Sequence, residues 1–326
     1  MTLCLSLALC SLSIALAATP LCRRLAIRSG AVARHNHRAV HIGQIPKLGG
    51  GAIFLATSIP LLALAVWRPI WSTELSGLLL GGTVLFLTGT ADDVRGLGCN
   101  HKLALQTLGA IVLLLFGFRV EVVTFPGVGT LPLGWASIPL TLLWMVGITN
   151  AINLIDGLDA LAVGVALSAV ALAGLLGFAH GHAAVAVVAA TLVGALLGFL
   201  PYNLHPACIF MGDSGSLFLG FMVAWLTVAG ARTEQGEVML LVPLLSLGLP
   251  ITDTLLAIVR RVRRGIHPFV ADRQHIHHRL LDAGLSHPTS SLLMSLVSLL
   301  LTIAALIAVR LSSAPLCPIS VSQLVP

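Results

Sequence analysis

The sequence predicts an all-α, polytopic membrane protein with about ten transmembrane helices and its active site at the cytoplasmic face. Three observations carry that prediction. The chain is 57% hydrophobic and 9% charged, with a mean hydropathy of +1.01, and so little charge cannot cover a soluble fold of 326 residues. The charges that exist bracket long apolar runs. Every aspartate falls in or beside the basic loops that mark one side of the membrane. The whole chain, 1–326, therefore reads as one integral membrane domain.

The elements follow from the charge-free runs in order. Residues 1–22, 48–67, 75–91, 103–118, 214–231 and 283–309 contain no Lys, Arg, Asp or Glu, and each run is close to or above the roughly 20 residues that cross a bilayer core. The first run is expected to be retained, because Arg23 and Arg24 follow it and no Lys or Arg precedes it, the reverse of a signal peptide. Residues 122–155 open on the turn-rich Phe125-Pro126-Gly127-Val128-Gly129 and then supply a span over 135–150. Residues 160–212 hold two spans parted near His180-Gly181-His182, and 238–259 completes the ten. The six cysteines show no C-x-x-C pair, so they read as packing residues and not as a disulfide or zinc framework.

Ten spans put the first, third, fifth, seventh and ninth connections on one side. Arg23, Arg24, Arg28, Arg34, Arg38 and Lys47 lie in the first, Arg95 and Lys102 in the third, and Arg260, Arg261, Arg263, Arg264, Arg273 and Arg279 in the ninth. These are fourteen of the 18 basic residues, so this side is cytoplasmic and both termini are outside. The net charge of +6 reads as a topology signal with attraction for anionic lipid or substrate, and needs no nucleic acid. Residues 314–326 form a Pro- and Ser-containing tail too short to span again.

Eight carboxylates, Asp92, Asp93, Asp156, Asp159, Asp213, Asp253, Asp272 and Asp282, fall on the cytoplasmic side, whereas Glu74, Glu121, Glu234 and Glu237 fall outside. Aspartates can simply cap helices. The adjacent Asp92-Asp93, however, repel each other at a boundary where charge is costly, and such a pair persists most naturally around a divalent cation. A hard cation such as Mg²⁺ takes oxygen ligands, typically one or two carboxylates with substrate phosphates. Asn150, Asn153 and Asp156 recur every three residues, which stacks them on one helical face. Met211-Gly212-Asp213-Ser214-Gly215-Ser216 could offer backbone amides to an anion at a helix N-terminus, although a plain N-cap explains it equally well.

Residues 260–285 form a cytoplasmic basic and histidine-rich segment. Arg260-Arg261-Val262-Arg263-Arg264 precede Pro268, and Asp272-Arg273-Gln274-His275-Ile276-His277-His278-Arg279 read as an amphipathic interfacial helix stopped by Gly284. Zinc binding by His275, His277 and His278 lacks both an i, i+4 histidine pair and a nearby cysteine. Neutral or partly charged imidazoles beside Arg279 suit hydrogen bonding to a sugar and pyrophosphate better, with a solvated basic helix as the plain alternative.

Together these stretches resemble the polyprenyl-phosphate N-acetylhexosamine-1-phosphate transferases, the membrane superfamily typified by WecA and MraY. The resemblance rests on His41-Ile42-Gly43-Gln44-Ile45-Pro46-Lys47-Leu48-Gly49-Gly50, on Asp92-Asp93 with Lys102, on residues 150–159, and on Tyr202-Asn203 through Ser216. It is completed by Pro250-Ile251-Thr252-Asp253-Thr254 and by the His275-Ile276-His277-His278-Arg279 run, which looks like the WecA branch. The chain departs from the common pattern at Ala33-Arg34-His35-Asn36, at Ala39 where a Lys is usual, and at Ala160 where a Gly is usual.

The resemblance implies a Mg²⁺-dependent enzyme, with Mn²⁺ as a substitute, in a bacterial plasma membrane. It would move N-acetylglucosamine-1-phosphate, or a related N-acetylhexosamine-1-phosphate, from a UDP-sugar to undecaprenyl phosphate. UMP would be released and a cell-surface polysaccharide initiated. By the resemblance Asp92 or Asp93 would be catalytic, orienting or deprotonating the acceptor, and Asp213 with Asn153 would hold the metal. Lys102, Asn150, Asp156, Asp159, His275, His277, His278 and Arg279 would bind substrate, and a homodimer is compatible with it. The rival from another class is a transporter with aspartate ion or proton sites. Such sites usually lie near the membrane midplane at an inverted repeat, and no internal repeat is visible here.

Overall fold

The computed structural model describes residues 1–32, 45–65, 71–125, 127–265 and 274–311. Arg34, Arg38, His41, Asp272, Arg273 and the 314–326 tail, all used above, lie outside the described residues. The elements run α1 (Thr2–Ser29), α2 (Gly50–Ala65), α3 (Thr73–Arg95), α4 (Cys99–Leu115), β1 (Val122–Phe125), β2 (Gly129–Pro132), α5 (Ser137–Ile155), α6 (Leu161–Ala179), α7 (Ala183–Asn203), α8 (Gly212–Gly230), β3 (Val238–Met239), α9 (Leu241–Ser246), α10 (Gly248–Arg263), α11 (Ile276–Asp282) and α12 (His287–Leu311).

The all-α membrane architecture holds, and the count of about ten spans is not established. Among the described residues seven helices, α1, α3, α5 with the turn before it, α6, α7, α8 and α12, are long and apolar enough to cross a membrane. The apolar α2 and α4 are shorter, at 16 and 17 residues. The expected span over 238–259 is divided into β3, α9 and α10, with Leu247 as the joint between the two helices. Gly248 and Pro250 explain the joint, since Pro250 has no N–H and is tolerated only in the first turn of a new helix.

The bundle is organised around α8, in which every residue from Ser214 through Gly230 is buried. Three neighbours approach it through glycines. Gly50 of α2 lies on the Gly215 backbone, Gly89 of α3 lies on the backbone of Asp213 and Ser214, and a Cβ at Gly220 would stand 2.8 Å from Thr149 Cα of α5. In a lipid solvent, which gives no hydrophobic drive between helices, such close backbone approach supplies the packing. The outer helices α1 and α12 instead expose leucines such as Leu5, Leu21, Leu292 and Leu300.

At the end of the bundle opposite the carboxylates, β1 pairs antiparallel with β2 and parallel with β3. There Glu74 accepts hydrogen bonds from Trp225 Nε1 at 2.8 Å and from Arg232, whose guanidinium also donates to the Arg119 carbonyl at 3.0 Å. This ties α3, α8 and the segment after α4 together at that end.

Candidate active site

Four helices deliver the sequence-marked residues to one place. Asp92 and Asp93 end α3, Lys102 begins α4, Asn150 and Asn153 occupy the last turns of α5, and Asp213 opens α8. The Lys102 ammonium donates to Asp213 and, at 3.3 Å, to Asp92 Oδ2. Asn153 Nδ2 donates to Asp213 Oδ1 at 3.2 Å and to Ser216 Oγ at 2.8 Å. Asp213 is thus gripped from α4 and α5 at once. The side chains of Lys102, Asp92 and Asp213 remain 19–25% exposed, so the cluster opens to a ligand.

Asp93 is arranged differently. Its Oδ1 accepts the Asp213 N–H at 3.0 Å and its Oδ2 the Ser214 N–H at 2.9 Å. The first N–H groups of a helix have no partner inside it, and the positive end of the helix dipole favours an anion there. The anion at the start of α8 is therefore the carboxylate of Asp93 itself, so of the two readings the sequence left open for this stretch the structure shows the cap. Gly212 makes the approach feasible: its φ is +70, and a Cβ there would strike the Lys47 carbonyl. Asp92 keeps one oxygen on the Leu97 N–H at 2.7 Å and turns the other toward Lys102.

Asp156 caps the C-terminus of α5. Burial, and then the carboxylates of Asp213, Asp93 and Asp159, push its carboxyl well above the ordinary carboxylate range. Asp156 thus senses the same excess of negative charge that Lys102 partly neutralises. The available donors are carboxylate and amide oxygens, which suits a hard divalent cation. The carboxylates do not close into a compact cage: among the described residues, the one trio of His, Cys, Asp or Glu side chains with donor atoms within 4.8 Å of one another is Asp159, His205 and His287. A site of one or two carboxylates completed by substrate phosphate fits Mg²⁺ better than a dedicated protein cage.

Asn150, at the edge of this cluster, and the remaining marked residues have partners of their own. Asn150 exchanges amide hydrogen bonds with Gln106 of α4 and also donates to the Val146 carbonyl at 2.8 Å. Asp159 accepts from Ala207 N–H at 3.2 Å and pairs with His205 Nδ1 at 2.8 Å. His275 is buried with its Nδ1 on Asp253 Oδ2 at 2.8 Å, and the other oxygen of Asp253 accepts the Ile276 N–H at 2.8 Å, capping α11. His277 is 2% exposed, stacks parallel on His275 with ring centroids 5.8 Å apart, and packs on Gly157. The interfacial helix thus folds over the 156–159 turn. Burial first, then the neighbouring His278 and His275, push the His277 imidazole down to about 4, so it is neutral at neutral pH. His278 lies 4.2 Å from it by ring centroids, and Arg279 is exposed.

Gln106, His205 and His287 are the residues the sequence did not single out. Each is a lone polar side chain whose partner is distant in sequence, so no spacing betrays it.

A one-ended nest of carboxylates, one lysine and paired amides, at the mouth of a membrane-spanning bundle, is the furniture of a membrane phosphotransferase. Comparison with known proteins gives the particular family. Residues 75–231 match glycosyl transferase family 4. A Bacillus subtilis protein named probable undecaprenyl-phosphate N-acetylglucosaminyl 1-phosphate transferase is 37% identical over 91% of this chain and 82% of its own length. The decaprenyl-phosphate N-acetylglucosaminephosphotransferase of Mycobacterium tuberculosis is 41% identical over 81% of this chain and 72% of its own. An Escherichia coli undecaprenyl-phosphate alpha-N-acetylglucosaminyl 1-phosphate transferase is 29% identical over 86% and 77% respectively. The chain belongs to glycosyl transferase family 4, in its WecA-like branch, and is a phosphotransferase of that type. The transporter reading finds no support among these relatives.

Proposed function

We propose that the chain transfers N-acetylglucosamine-1-phosphate from its UDP derivative to a polyprenyl phosphate at the cytoplasmic face of a bacterial plasma membrane. The observation that carries the reading is the convergence of Lys102, Asp92 and Asn153 on Asp213 at one end of the bundle. An acceptor phosphate oxygen attacks the phosphorus that bears the sugar, the bond from that phosphorus to the oxygen of UMP breaks, and UMP leaves. The products are polyprenyl-diphospho-N-acetylglucosamine and UMP. Such transfer needs mainly positioning and neutralisation of charge.

Asp213 and Asn153 would hold Mg²⁺, or Mn²⁺ in its place, which when bound supplies positive charge for the pyrophosphate oxygens. Lys102 binds phosphate oxygens and keeps Asp213 and Asp92 from repelling them. Asp92 orients the acceptor. A phosphate monoester has a second pKa of about 6, so the acceptor is already mostly dianionic at neutral pH and asks for placement more than for a base. Asn150, Asp156 and Asp159 shape the donor side, and His278 and Arg279 meet the sugar; the buried His277, expected from the sequence to bind substrate, instead packs under them on Gly157, and His275 sets their position through Asp253.

The test is to incubate purified protein with Mg²⁺, polyprenyl phosphate and a panel of UDP-sugars and to follow UMP. UMP formed with the N-acetylglucosamine donor supports the reading. Product with another UDP-sugar alone overturns the donor assignment and leaves the reaction class, and no UMP with any donor overturns the reaction.

A further inference from the structure

Helix α10 touches the bundle along one seam. Leu249, Asp253, Ala257 and Arg261 recur every four residues and are buried, with Pro250 beside them. On the opposite side Leu255, Ile258, Val259 and Val262 are exposed, by 54%, 36%, 44% and 59%. At 3.6 residues per turn these four share one face. A row of this kind is an apolar surface, and among the described residues it stays open. Its C-terminal end carries Arg263 and Arg264, both exposed, and Arg264 makes a 3.2 Å hydrogen bond to Gln274 that uses only part of its donor fork. The acidic residue on α10, Asp253, faces the seam and is committed to His275 and Ile276.

A helix that is apolar along one side and arginine-tipped at its end matches the cross-section of a lipid leaflet, with acyl chains beside the apolar row and phosphate at the arginines. We propose that the last turn of α10 is a binding site for an anionic phospholipid of the cytoplasmic leaflet, its headgroup on Arg263 and Arg264 and its chains along Leu255, Ile258, Val259 and Val262. The lipid is anionic because two adjacent exposed guanidiniums favour a phosphate that carries net charge over a zwitterionic headgroup. The site has a consequence for the reaction. Asp253 sits on the same helix and holds both His275 and the first amide of α11, so a lipid that steadies α10 steadies the histidine segment over the 156–159 turn. This second statement rests on the transferase reading and on the cytoplasmic placement given above.

The experiment places the full-length protein in nanodiscs of phosphatidylcholine alone or of phosphatidylcholine with phosphatidylglycerol. It reads retained lipid and oligomeric state by native mass spectrometry, and UMP release in the same discs. The wild type should retain phosphatidylglycerol in preference to phosphatidylcholine and turn over several-fold faster in its presence. The R263Q/R264Q variant should match the wild type in phosphatidylcholine, lose the stimulation, and hold phosphatidylglycerol on the order of tenfold less well, as the loss of two arginines at a charged leaflet implies. A wild type without headgroup preference, or a double variant that retains phosphatidylglycerol as the wild type does, overturns the site. So does stimulation shared by the variant, which would assign the effect to delivery of the acceptor, and so does a dimer that dissociates in the variant, which would assign the face to a second copy. Preference lost in the variant while no disc yields UMP leaves the lipid site standing and sinks the transferase reading instead.

Discussion

Asp93 caps the helix that carries Asp213: its two carboxylate oxygens take the backbone N–H groups of Asp213 and Ser214 at 3.0 and 2.9 Å. The two neighbours Asp92 and Asp93 therefore have separate tasks, since Asp92 faces Lys102 and the opening while Asp93 faces the backbone of α8. An acidic pair that looks in sequence like two equivalent groups becomes one ligand-facing carboxylate and one anchor.

Asp93→Ala should consequently act through position. Loss of an N-cap costs about 1 kcal/mol of stability, and loss of a group that orients a metal ligand typically costs about 10–100-fold in activity. The pH profile of the residual UMP release should keep the shape of the wild type, because the anchor takes no proton from substrate. A changed acidic limb in that variant would return Asp93 to proton transfer, and full turnover would remove it from the site altogether.

Asp213→Asn should leave the bundle folded and lower turnover by orders of magnitude. The amide keeps the size of the carboxylate while removing the charge that pairs with Lys102 and that the proposed divalent cation would need. Chelation should abolish wild-type activity, with Mg²⁺ or Mn²⁺ restoring it. Turnover that persists in excess chelator contradicts a metal at this cluster, and near-normal turnover of Asp213→Asn contradicts its role as ligand.

Much of this site was legible in the sequence because its parts sit on short, regular motifs. Asp92-Asp93, Asp213 and the three-residue recurrence of Asn150, Asn153 and Asp156 mark themselves, whereas the contact of Asn153 with Asp213 comes from the packing of α5 on α8. The division of labour within Asp92-Asp93 was not legible, since it depends on where the start of α8 lands. Gln106 stays hidden because one glutamine in the apolar run 103–118 has no periodicity to declare its partner Asn150, 44 residues away. Hydropathy is blind to the backbone, so 238–259 read as one span although Gly248 and Pro250 break it. The sheet escaped for the reason that β1 and β2 have four residues each, too few for a period of two to show.

The sidedness can be checked with native thiols. Cys99 at the start of α4 and Cys208 between α7 and α8 are both exposed and lie at the carboxylate end of the bundle. If fourteen of the 18 basic residues report the cytoplasmic side, an impermeant thiol reagent added to intact cells should spare both and label both once the membrane is opened. Labelling of either in sealed cells places the site outside.

His277 gives the pH dependence of stability. Its imidazole falls from the ordinary 6.5 to about 4 through burial and neighbouring histidines. Between those values the unfolded chain binds a proton that the native protein refuses, so this residue makes stability rise with pH across that window and is without effect above it. The thermal midpoint should drop as pH falls from 6.5 toward 4, and His277→Gln should flatten that part of the curve. A variant that loses stability on acidification as steeply as the wild type would show that other groups govern the window.

Ala160 is the residue at which this chain is expected to improve. It adopts φ 61 and ψ −3, the left-handed region, and is the one non-glycine residue with positive φ among the described residues. The conformation is imposed from outside: its N–H donates to Asn203 Oδ1 at 3.0 Å, and the preceding Asp159 is pinned by Ala207 N–H and by Ser291 Oγ on its carbonyl. For an L-residue the left-handed region costs roughly 1–2 kcal/mol, and glycine avoids that cost while adding roughly 0.5–1 kcal/mol of backbone entropy to the unfolded chain. Ala160→Gly should therefore stabilise the protein by up to about 1.5 kcal/mol, the difference of the two terms, and raise the thermal midpoint with turnover unchanged. A lowered midpoint would mean that the methyl group makes packing contacts worth more than the strain it carries.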